Sequence, residues 1–101
     1  MGTIKFILTT NTNEHIFPKG IFKYMYTSYS SGATGSIYVY FAAEGNIVDP
    51  DLITITVTKD FLGATSKYIS QSISSSGYHE IKIGGTTGIA QHITAMTYTA
   101  G

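Results

Sequence analysis

Apolar side chains fall at every second position along most of this chain, the period of strands with one buried face. Ile4, Phe6 and Leu8 alternate with Lys5, Ile7 and Thr9, which predicts a first strand over residues 3–9. Asn11-Thr12-Asn13-Glu14 is turn chemistry, and His15-Ile16-Phe17 is a short extended piece halted at Pro18-Lys19-Gly20, where proline lacks a ladder donor and glycine admits positive φ. Residues 21–29 and 36–43 read as the two arms of a hairpin around a loop rich in Ser and Gly. A loop centred near Ser31 and Gly32 sets Tyr24 and Tyr26 beside Tyr38 and Tyr40 on one face, with Ile21, Met25, Ile37, Val39 and Phe41 on the other. A hairpin apolar or aromatic on both faces has to be covered on both sides.

Beyond it, Glu44-Gly45-Asn46 turns the chain, Ile47-Val48 extends briefly, and Asp49-Pro50-Asp51 breaks the strand. Residues 52–58 alternate without a fault, Ile53, Ile55 and Val57 inward and Thr54, Thr56 and Thr58 outward. From Asp60 the period becomes helical: Phe61, Leu62, Thr65, Tyr68, Ile69, Ser72 and Ile73 share one face, with Asp60 placed to cap the helix and Gly77 to end it. The serines and Gly63 make this helix intrinsically weak, so packing on a sheet must hold it. Residues 78–83 alternate again, His79, Ile81 and Ile83 opposite Tyr78, Glu80 and Lys82. Gly84-Gly85-Thr86-Thr87-Gly88 is a flexible connector, and residues 89–99 form a last long strand with Ile93 and Ala95 on one face and Met96 and Tyr98 on the other. The expected fold is a single α+β domain over residues 1–101, mainly antiparallel β, with about six strands and one short helix packed on the sheet.

Composition changes what the surface of that domain must be. Charged residues are 12% against 43% hydrophobic, about half the usual ~25% charged of a globular domain. The coat is therefore built from Thr, Ser, Gly, Asn and Tyr, which suits a protein whose neighbours in an assembly replace charge repulsion. The formal net charge is zero, every basic residue is a lysine, and those lysines are scattered. With no guanidinium to grip phosphate, a nucleic-acid role is not expected. The absence of cysteine removes disulfides, thiolate metal sites and cysteine nucleophiles. The first apolar run is too short for a signal peptide and lacks a cleavage site, and no run reaches the ~18 apolar residues of a membrane span.

Candidate chemistry is thin. Glu44, Asn46, Asp49 and Asp51 form an oxygen-rich loop able in principle to cradle calcium, but without the spacing of an EF-hand. His15, His79 and His92 are the imidazoles available for zinc, none in a chelating pair. No serine sits in a nucleophile elbow, the glycine run lacks the lysine of a phosphate loop, and nothing assembles nucleophile, base and orienter. The chain is therefore expected to be no enzyme and to need no cofactor. Phe22, Tyr24, Tyr26, Tyr38 and Tyr40 remain as an interface or ligand platform, or else as core between the helix and a second sheet.

The opening Gly2-Thr3-Ile4-Lys5-Phe6, the segment Asp51-Leu52-Ile53-Thr54-Ile55-Thr56 followed by a short helix, and the tail Gly88-Ile89-Ala90-Gln91-His92-Ile93 resemble small virion structural proteins of marine tailed phages. The resemblance is one of plan over most of the chain and brings no catalytic or binding motif. It implies a capsid-decorating or tail-associated subunit that assembles symmetrically, with copies of itself and other virion proteins as partners and a virion or extracellular assembly as its location. A carbohydrate-binding module using the tyrosine face, with a glycan as ligand, is the alternative.

Overall fold

The computed structural model describes residues 2–8, 14–29, 32–43, 46–84 and 88–100, and of residues 43 and 46–49 the backbone alone. Within these, seven strands form two sheets joined by one helix: β1 (Thr3–Leu8), β2 (Glu14–Pro18), β3 (Phe22–Ser28), β4 (Thr34–Ala43), β5 (Asn46–Thr58), α1 (Leu62–Ser74), β6 (Tyr78–Ile83) and β7 (Ile93–Thr99). The smaller sheet has the order β2-β1-β6 and the larger β3-β4-β5-β7. All pairings are antiparallel except β1 with β6, which run parallel. The fold is thus α+β and mainly β, as expected, with the piece around His15 promoted to a full strand.

Alternation places the core. Ile4 and Phe6 of β1, Phe17 of β2 and Ile81 and Ile83 of β6 meet Ile37, Val39 and Phe41 of β4, Ile53, Ile55 and Val57 of β5, and Ile93 of β7, all buried in one cluster with Ile69 of α1. Phe17 and Phe41 stack with ring centroids 4.1 Å apart, and Phe6 meets both edge-on. The larger sheet therefore spends one face on the smaller sheet and α1 together. Its other face looks outward.

Four expectations are corrected. Asp49-Pro50-Asp51 does not break the strand: β5 runs through it, and the ladder instead jumps from Phe41 opposite Asp51 to Ala43 opposite Asn46, an irregularity that accommodates a proline with no N–H to give. Asp60 does not cap the helix but lies in a 3-10 turn, Lys59–Phe61, that leads into it, and Phe61 at the cap makes no side-chain bond. That turn is anchored by the Lys59 N–H donating to the Ala33 carbonyl at 2.9 Å. The helix ends at Ser75 in extended conformation, and the positive φ of Gly77, 93°, comes two residues later. Finally, residues 89–92 are a 3-10 turn, not strand, and β7 carries a bulge that leaves Thr94 without a ladder partner while Ala95 opposes Thr56 and Ile93 opposes Val57. The extra residue flips the alternation, so Ile93, Met96 and Tyr98 share the core-facing side and Ala95 turns out.

Candidate functional site

The outward face of the larger sheet is built by the hairpin β3-β4. Tyr24 opposes Tyr40 and Tyr26 opposes Tyr38, and the paired rings stack at 4.6 Å and 4.9 Å between centroids, with interplanar angles of 23° and 26°. Tyr26 also lies 6.1 Å from Tyr40 and 6.5 Å from Tyr24, close to parallel. The four rings form one stacked set, each spending a face on a neighbour. Tyr40 bonds the Tyr26 hydroxyl, and that bond, aided by burial, pushes its phenol up to about 12. Tyr24 and Tyr26 are 50% and 47% exposed. Neither the helix nor the second sheet covers them, so the reading of these tyrosines as core is overturned.

Phe22 does not join the set. The register shifts between Phe22 and Tyr24, and this bulge at Lys23 turns Phe22 to the inner side, where it packs on the core and meets Phe41 edge-on at 5.9 Å. Beyond the tyrosines the same face continues in hydroxyls. Leu52 opposes Tyr40 and Thr54 opposes Tyr38 on β5, Thr56 opposes Ser36, and on β7 Thr97, Thr99 and Ala95 complete the rows. Among the described residues no Asp, Glu, Lys or His holds a ladder position on this face. The outward threonines of residues 52–58 were legible as an ordinary strand face. Their continuity with the tyrosines follows from the register and was not.

The remaining candidates are dispersed. Glu44 lies outside the described residues, Asn46 and Asp49 sit on the extended backbone of β5 and not in a curled loop, and Asp51 bonds the Tyr98 hydroxyl. The three histidines are in three places: His15 stacks on Tyr98 at 4.5 Å, His79 Nδ1 lies 2.6 Å from Lys19 Nζ, and His92 stacks on Phe61 at 3.4 Å. Among the described residues no three His, Cys, Asp or Glu side chains gather as metal ligands. Of the glycine connector, residues 85–87 lie outside the described residues, and Gly84 and Gly88 have positive φ.

Sequence reasoning missed two further features. On the outer side of the smaller sheet, Lys5 Nζ lies 2.8 Å from Glu14 Oε2 and 3.1 Å from Glu80 Oε2, and the Tyr78 hydroxyl donates to Glu80 Oε2 at 2.7 Å. The Glu14 bond first, then Tyr78 and Glu80, raises the Lys5 ammonium, while Tyr78 and Lys5 hold the Glu80 carboxyl below its ordinary range. Also missed was a cavity of about 350 Å³ along β2, lined by all five residues of that strand with Ile21, Ala42, Asp51 and Tyr98. Burial, with Asp51 behind it, pushes the Tyr98 phenol up. The available signal was the short piece His15-Ile16-Phe17 before Pro18, in which an inward Phe17 puts Ile16 on the opposite side. No family model, curated protein or solved structure matches the chain.

Proposed function

We propose that the protein is a non-enzymatic structural subunit that builds a homo-oligomeric assembly through the outward face of its four-stranded sheet, as a capsid-decorating or tail-associated protein of a phage virion. One observation carries this: a broad exposed face of stacked tyrosines and threonines with no charged ladder residue among those described. Charge on a surface keeps copies apart, and a face without it forgoes that protection. The tyrosines offer rigid apolar area already ordered by mutual stacking, together with hydroxyls able to bond across an interface, a combination enriched where proteins meet. The resemblance to phage virion proteins points the same way.

The carbohydrate-binding alternative has less support. A sugar is gripped by apolar contact with an open aromatic face, whereas here each ring already spends a face on another ring. A double variant, Tyr26→Ala with Tyr40→Ala, tests the proposal. Its expected effect is loss of association in light scattering with the thermal midpoint within a few degrees of the parent, because the face is outside the core. A variant that assembles like the parent contradicts the reading, and glycan binding by a stable monomer would replace it.

A further inference from the structure

Strand β2 is the free edge of the smaller sheet, and two backbone bonds fix which way its peptide groups point. The Thr3 N–H donates to the Gly77 carbonyl at 3.2 Å on the β6 side of β1, and the Gly2 carbonyl accepts from the Lys19 N–H at 2.8 Å on the β2 side. Peptide groups alternate in direction along a strand, so Ile4 and Phe6 turn toward β2 and bond their register partners Phe17 and His15. Glu14 and Ile16 then direct both N–H and C=O away from β1, and Pro18, the next of that set, directs a carbonyl alone. Ile16 is 58% exposed, more than any other large apolar side chain among the described residues. Of the devices that usually discourage pairing, this short edge has no lysine and no bulge, its proline is the last residue of the strand, and its one charge, Glu14, is held by Lys5.

Resting on the assembly reading above, we propose that β2 pairs antiparallel with β2 of a second copy about a two-fold axis at Ile16. In that register the two Ile16 residues exchange N–H to C=O bonds, and each Glu14 N–H meets the Pro18 carbonyl of the other copy. The missing proline N–H falls at the end of the pairing, where the Glu14 carbonyl it would have served is open to water. No like charges face each other, since Glu14 stands opposite Pro18 and is already held by Lys5. The two Ile16 side chains cover one another on the outer side. The cavity along β2 lies between this strand and residues Ala42, Asp51 and Tyr98 of the larger sheet of its own chain. The product is a continuous six-stranded sheet with a self-complementary interface, the usual form of a two-fold contact. A second contact independent of the tyrosine face lets a subunit join more than one neighbour.

The chain lacks cysteine, so Ile16→Cys introduces a single thiol. Hydrogen-bonded antiparallel partners stand ~5.5 Å apart between Cα atoms, a span a disulfide bridges. Under mild oxidation Ile16→Cys is expected to give disulfide-linked dimers roughly tenfold or more faster than Lys67→Cys on the exposed side of α1, owing to its high local concentration. Ile16→Pro removes only an outward donor, and is expected to melt near the parent temperature while forming smaller particles. An oligomeric parent whose Ile16→Cys variant cross-links no faster than Lys67→Cys overturns the edge pairing and leaves the assembly reading standing. A parent that is monomeric, with no accelerated cross-linking, overturns both.

Discussion

The Lys19 ammonium, in a side chain only 5% exposed, donates to the Ser75 carbonyl at 2.6 Å and lies 2.6 Å from His79 Nδ1. One residue thereby ties the segment after β2 to the end of α1 and the start of β6, while its own N–H holds Gly2. Beside it the chain crosses so closely that a Cβ on Gly2 would fall on the Gly77 carbonyl. Lys19→Ala is expected to destabilise by about 2–4 kcal/mol, since it strands two half-buried polar groups and leaves a void, and thermal unfolding reads this directly. An unchanged midpoint would show the tie to be idle. None of this was legible locally: Pro18-Lys19-Gly20 is turn sequence, and the groups that bury Lys19 lie some sixty residues away. That Tyr24, Tyr26, Tyr38 and Tyr40 share one face was legible from the alternation of the two arms, whereas the ring-by-ring pairing of Tyr24 with Tyr40 and Tyr26 with Tyr38 comes from the register.

Helix α1 connects the larger sheet to the smaller one, and its sequence does little to hold it helical. Gly63 and four serines weaken it, and Ser66, Ser72 and Ser74 turn their hydroxyls back onto the carbonyls of Gly63, Tyr68 and Gln71. What fixes it is the buried line Thr65, Ile69 and Ser72. Two substitutions on that line should act with opposite sign. Ile69→Ala removes a fully buried side chain and should cost about 2–5 kcal/mol. Thr65→Val removes a buried hydroxyl that has no hydrogen-bond partner and should be neutral or stabilise by up to about 1 kcal/mol. Denaturant titration of both against the parent checks the pair, and destabilisation by Thr65→Val of the same size as Ile69→Ala would refute this view of the helix. Strands and helix were legible from period. The bulges at Lys23 and Thr94 were not, because one inserted residue leaves each flanking alternation intact and changes only their relation. That is why Phe22 lies on the inner side, away from the tyrosines it is expected to join, and why Ile93 shares a side with Met96 and Tyr98 instead of with Ala95.

At the scale of the molecule, two sheets and one helix enclose a single core and leave one wide sheet face to solvent. The alternation of the hairpin predicts cover on both of its sides; its inner side packs in the core. Among the described residues nothing covers Tyr24 and Tyr26 on its outer side. The extension of that side by threonines across β5 and β7 depends on strand order, which local alternation does not carry. Because no charged residue among those described holds a ladder position there, contacts made through this face would owe little to Coulomb attraction and should be insensitive to screening. The most direct test is light scattering of the intact protein across a range of concentration and salt. A particle at a fixed multiple of the chain mass, unchanged from about 0.05 to 1 M salt, is the expected result; a monomer at every concentration, or a particle that dissociates as salt rises, would contradict assembly through the uncharged tyrosine face.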